Sequence, residues 1–234
     1  MIIDYYNTAK KYLIIAFLLV YLPAAINGLF FSTFKENIFL FWAYDFFQWI
    51  LMPYLALMIV IKQKKIITFY HLGFHNLIFH RRNWEYIIYL GFIFSIVLHY
   101  SYFPVYTFTE LIFPTNYFWS FSYQSIIPKH SVFLALLVTI YLAFSAGFVE
   151  ETFYRGLLKI IFQDDFTFNY KYILISSFLF SLNHWEGGVR NIFSAFIFGV
   201  LTAIIYLKIK NIWPLVIGHT WVDICAFYPF TSPF

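Results

Sequence analysis

The chain of 234 residues is 62% hydrophobic and 26% aromatic but only 11% charged, with a mean hydropathy of +0.74. Those values exclude a soluble globular domain and a disordered chain, and set the expectation of an all-α, polytopic membrane protein. A formal charge of +4 would point to nucleic acid in a soluble protein; here no nucleic acid is expected, the partner is membrane lipid, and the cations report topology.

Crossing the hydrocarbon takes about 20 apolar residues per helix, so a chain of this length allows about seven spans and no separate soluble domain. Residues 1–234 are expected to form one membrane-embedded domain. Apolar runs fall at about 13–31, 38–61, 85–104, 131–162, 170–184, 191–207 and 211–230, each read as one helix. The first follows Lys10 and Lys11, but its length and the bulky residues after Ala24 and Ala25 favour a retained anchor over a cleaved signal peptide. The second carries Asp45 and Gln48 at depth, suited to lining a substrate path or to packing helices through hydrogen bonds. His71, His75 and His80 follow in a basic loop with Arg81 and Arg82, which reads as a surface facing lipid headgroups rather than a metal site. After the third run, an aromatic and proline-rich segment at about 105–130 is expected in the outer interface.

Placing the N-terminus inside puts Lys10, Lys11, Lys62, Lys64, Lys65, Arg81, Arg82, Arg155, Lys159, Lys171, Lys208 and Lys210 on the inner side, with Arg155 discounted for its depth in the membrane. Only Lys35, Lys129 and Arg190 then fall outside. This bias predicts an N-in, C-out bundle. The single cysteine, Cys225, excludes an internal disulfide and reads as a small apolar core residue.

The fourth run, from Ser131 to Phe162, ends at Gln163, Asp164 and Asp165 and contains Glu150, Glu151 and Arg155. Charges at such depth are costly and mark functional sites. At 1.5 Å per residue, Glu150 lies roughly 18 Å from the inner end of its helix, His184 roughly 21 Å, and His219 and Asp223 roughly 12 and 18 Å. Groups from three helices thus converge on similar depths. Glu151 and Arg155 are four apart, so they stack on one face and form an ion pair that lowers the cost of burying both. Glu150 is turned about 100° away, which keeps its carboxylate free for general-base work. His219 and Asp223 also share a face, so the carboxylate is placed to orient the imidazole or share its proton. Asn183 and Glu186 either do the same for His184 or mark the helix end.

Three motifs carry a family resemblance. Glu150-Glu151-Thr152-Phe153-Tyr154-Arg155 resembles the glutamate-glutamate-x-x-x-arginine signature of the CAAX protease and bacteriocin-processing (Abi) family of intramembrane proteases. Phe180 to His184 is similar to its phenylalanine-x-x-x-histidine motif, and His219 to Asp223 to its histidine-x-x-x-asparagine or aspartate motif. Gly156, Ser176, Ser177, Gly199 and the Asn211-Ile212-Trp213-Pro214 stretch agree as well, so the likeness covers about 146–224, the expected catalytic core. The resemblance implies that Glu150 and His184 activate a water for attack on a peptide carbonyl, and that His219 and Asp223 stabilise the oxyanion. Glu151 and Arg155 are then supporting residues. An ionised aspartate does not donate a hydrogen bond, so Asp223 is either protonated or orients His219.

The expected activity is endoproteolysis of a membrane-anchored or lipid-associated peptide or protein, without a cofactor. Family analogy offers prenylated C-termini, bacteriocin or pheromone leaders and C-terminal membrane anchors as substrates. The short chain without a soluble domain or retention signal suits a bacterial cytoplasmic membrane, where prenyl substrates are the poorer fit. Zinc held by Glu150, His184 and His219 is the alternative, although no His-Glu-x-x-His is present. A rhomboid-like serine site at Ser181 is weaker, since no glycine-flanked serine occurs. A non-catalytic peptide-binding immunity or scaffold protein and a proton-coupled transporter are the readings from other classes.

Overall fold

The computed structural model describes residues 2–34, 37–62, 68–74, 81–113, 123–162 and 168–228. Lys35, Lys64, Lys65, His75, His80, Gln163, Asp164, Asp165 and the centre of the aromatic segment lie outside the described residues. All the regular structure among the described residues is helical. Lipid explains this, since a membrane offers no water to unpaired backbone groups and a helix satisfies its own.

The helices are α1 (Ile2–Phe34), α2 (Ile38–Phe46), α3 (Met52–Lys62), α4 (Arg81–Ile112), α5 (Val132–Glu150), α6 (Leu158–Ile161), α7 (Phe168–Leu182), α8 (Gly188–Ile209) and α9 (Trp213–Phe227). Two of the expected runs are not uniform. A π-helical segment, Phe47–Leu51, joins α2 to α3, and a second, Glu151–Leu157, joins α5 to α6. Five stretches are long and apolar enough to cross a membrane: Lys10–Leu29, Ile38–Lys62, Trp84–Ile112, Val132–Ile161 and Trp185–Ile209. α7 and α9, with 15 residues each, are shorter than the span length of about 20.

Side-chain size sorts by face in the way a membrane demands. On α5, Ala135, Thr139, Ala143 and Ala146 are buried, while Phe133, Leu137 and Phe144 are exposed. Small residues let backbones approach closely, and the large apolar ones meet lipid chains. α4 packs on α8 and α9, α7 on α8, α5 on α9 and α1 on α3. At Gly199 of α8 a Cβ would stand 2.9 Å from Ser177 Cα of α7, so glycine sets that spacing. One extended core joins Phe17, Phe153, Tyr154, Phe180, Phe198 and Val216 around the second π-helical segment.

Candidate active site

The π-helical segment Glu151–Leu157 is buried along its whole length, and Leu158 N–H reaches back five residues to the Phe153 carbonyl. Such insertions occur mostly at functional sites. Gly156 belongs to it for a steric reason: a Cβ there would come 2.5 Å from the Leu72 carbonyl oxygen. The segment turns Glu151 and Arg155, both 0% exposed, into the core.

Arg155 Nε lies 3.2 Å from Glu151 Oε2, and its guanidinium also donates to Thr202 Oγ1 of α8 through Nε at 2.9 Å and through Nη2. The same guanidinium sits 4.5 Å over the Phe180 ring. These contacts replace the water that a buried cation gives up. The other oxygen of Glu151, Oε1, is 2.8 Å from His219 Nδ1. A carboxylate accepts, so His219 Nδ1 carries the proton and donates.

The opposite edge of that imidazole points towards Glu150 and Asp223. His219 Nε2 is 3.4 Å from Glu150 Oε2 and 3.7 Å from Asp223 Oδ2. The two adjacent glutamates therefore meet one imidazole at its two nitrogens, and the group bonded to Nδ1 is Glu151, with Asp223 beside Nε2. His184 lies just past the end of α7, in the turn leading to the 3₁₀ segment Trp185–Gly187, not on the helix itself. Its Nδ1 lies 2.9 Å from the Phe180 carbonyl, so Nδ1 carries a proton and the neutral ring keeps its lone pair on Nε2. Phe180 stacks near both imidazoles, 4.6 Å from His184 and 5.9 Å from His219 between ring centroids.

Glu150, His184, His219 and Asp223 all line one cavity of about 430 Å³. Asn183 ends α7 and donates to the Tyr154 hydroxyl; Glu186 lines the cavity. Of the pair in the second run, Gln48 lines the cavity, while Asp45 accepts from the Tyr141 hydroxyl at 2.6 Å and packs helices. Ser181 is buried and donates to its own helix at Phe178, away from the cavity. His71 Nδ1 accepts from Thr68 N–H at 3.0 Å in the loop before α4. Burial holds the Tyr123 phenol well above its ordinary range, so this cavity-lining hydroxyl stays neutral. Thr202, Tyr154 and Asn27 carry no signal in the sequence: Thr202 and Tyr154 find their partners, Arg155 and Asn183, on other elements, and Asn27 reaches the cavity from α1.

Among the described residues, no three His, Cys, Asp or Glu side chains are grouped to hold a metal ion. What the elements assemble is a desolvated carboxylate and two imidazoles with fixed tautomers, braced from behind by an ion pair. The fold and site define an integral membrane protein with an acid–base centre buried among its helices. Residues 131–225 match the family model described as type II CAAX prenyl endopeptidase Rce1-like, a stretch that contains all three motifs. That part of the chain is similar to this family, which is the CAAX protease and bacteriocin-processing family, and the likeness points to a protease in general. No curated protein and no solved structure matches the chain.

Proposed function

We propose that the protein is an intramembrane endopeptidase that hydrolyses a peptide bond of a membrane-associated peptide with a water activated by Glu150 and His184. The observation that carries this reading is the convergence of Glu150, His184, His219 and Asp223 on one cavity. Water held between Glu150 and His184 Nε2 attacks the carbonyl carbon and gives its proton to the Glu150 carboxylate. The carbonyl oxygen becomes an oxyanion beside His219 Nε2, which donates to it when protonated. Collapse of the tetrahedral intermediate breaks the C–N bond, and Glu150 returns its proton to the leaving amine. Oxyanion stabilisation by one buried donor is worth about 3–4 kcal/mol.

Glu151 and Arg155 act as positioning residues: the arginine fixes the carboxylate, and the carboxylate fixes the tautomer and tilt of His219. A bacterial cytoplasmic membrane and an N-in, C-out orientation complete the reading. Comparative peptidomics of cells carrying wild type or Glu150→Gln tests it: precursors accumulate uncut in the variant. Identical peptide profiles in the two strains refute hydrolysis and favour a peptide-binding scaffold.

Zinc-dependent hydrolysis is the second reading. It is favoured by one observation, that both imidazoles anchor Nδ1 as zinc-binding histidines do, with His219 Nε2 turned towards Glu150 at 3.4 Å. The ungrouped ligand set weighs for the first.

A further inference from the structure

The three motifs do not account for all the polar groups in the cavity. Asn27 of α1, Gln48 of the first π-helical segment, Asn183 at the end of α7 and Glu186 of the 3₁₀ segment also line it. They are 4%, 1%, 4% and 8% exposed. Each presents a buried atom without a hydrogen-bond partner: Asn27 Oδ1, both amide atoms of Gln48, Asn183 Oδ1 and Glu186 Oε2. Unmet polar atoms are costly in a desolvated site, so four such residues on separate elements lining one cavity call for a ligand.

The wall is built closely. A Cβ on Gly28 would stand 2.8 Å from Glu186 Cβ, so glycine there lets the 3₁₀ segment lie against α1. Trp185 Nε1 pins it by donating to the Ala25 carbonyl at 2.8 Å. Gln48 sits on a π-helical segment, as Glu151 does on the other one, directly after Glu150.

Its chemistry is that of an acceptor. Four of the five unmet atoms on these four residues are oxygens, and Glu186 joins Glu150 and Asp223 to give the cavity three carboxylates, against two buried donors, Gln48 Nε2 and Arg190 Nε. The one guanidinium in the lining, Arg190, is engaged by Glu110 at 2.5 Å and lies 4.6 Å over the Tyr106 ring. The remaining ionisable groups lining the space are the imidazoles of His184 and His219 and the phenols of Tyr102, Tyr106 and Tyr123. An ammonium or guanidinium offers donors only, which matches carbonyl dipoles arranged around one carboxylate.

We propose that Glu186, with Asn27, Gln48 and Asn183, forms a subsite for a cationic side chain, lysine or arginine, close to the scissile bond of the peptide substrate. Proximity follows from Asn183, which directly precedes His184. The inference rests on the reading of this cavity as a peptide-hydrolase site. An apolar side chain in the same place leaves the wall unmet, so the subsite selects by what it loses with the wrong residue.

The test uses the full chain in lipid bicelles, as wild type and as Glu150→Gln to separate binding from cleavage. The probes are apolar peptides with one lysine moved position by position, each paired with a norleucine counterpart, and binding is read by fluorescence anisotropy. At one or two adjacent positions the lysine peptide binds at least about tenfold tighter. Glu186→Gln brings that ratio to about one, and Gln48→Met, which keeps side-chain volume, lowers it in part. Equal binding of both peptides at every position in wild type overturns the subsite, as does a lysine preference that survives both substitutions. A Glu186-dependent preference without any cleavage sinks the hydrolase reading and keeps the cation site. Cleavage abolished by Glu150→Gln with no lysine preference does the reverse.

Discussion

Glu151→Gln separates the two adjacent glutamates. Glu151 is fully buried, 3.2 Å from Arg155 Nε and 2.8 Å from His219 Nδ1. The substitution leaves a buried guanidinium without its ion-pair partner, among Thr202 and the Phe180 and Tyr154 rings. Breaking one side of a buried ion pair costs about 3–5 kcal/mol. At about 2–4 °C per kcal/mol for a domain of this size, Tm falls by about 6–20 °C. Glu150 has no arginine or lysine in such a pair; the basic group beside it is the His219 ring at 3.4 Å. Glu150→Gln therefore keeps Tm within about 3 °C and loses cleavage by at least about a hundredfold. Thermal unfolding in detergent, followed by intrinsic fluorescence, and single-turnover cleavage of a membrane peptide give both numbers. A Glu151→Gln protein as stable as wild type refutes the bracing role, and a Glu150→Gln protein that still cleaves refutes the base.

Thr202→Val removes the hydroxyl that accepts from Arg155, and the loss of a hydrogen bond to a charged group lowers stability by about 1.5–3 kcal/mol, read by the same unfolding assay. Asp223→Asn, which keeps shape and adds a donor beside His219 Nε2, retains cleavage within about threefold, while Asp223→Leu loses about a hundredfold or more; equal loss in both shows that the charge is what matters. Cleavage by detergent-purified protein persists in 1,10-phenanthroline and without zinc in elemental analysis; inhibition reversed by added zinc supports the metal reading. A cysteine placed at Lys210 in a Cys225→Ser background is protected from an impermeant maleimide added outside cells, and one at Lys129 is labelled; the opposite pattern reverses the orientation.

Hydropathy and charge made the membrane bundle legible in the sequence, because a bilayer allows few backbone solutions and penalises every stray charge. The three motifs, likewise, were readable because Glu150, Glu151, Arg155, His184, His219 and Asp223 stand out in an apolar chain. Tertiary structure alone decided how they divide the work. Helical spacing paired His219 with Asp223, yet the contact made by Nδ1 comes from Glu151 on another helix. The expected helices also contain two π-helical segments, which no periodicity announced because one inserted residue leaves the apolar pattern unchanged. Thr202 and Asn27 are silent in sequence because a polar side chain acquires its meaning from what the neighbouring helix brings to it; Gln48 stood out by its depth, and packing placed it, and not Asp45, in the cavity wall. The chain by itself determined that charges would be buried and at what depth, since desolvation is a property of each residue; only packing decided which charge meets which, since that is a property of pairs.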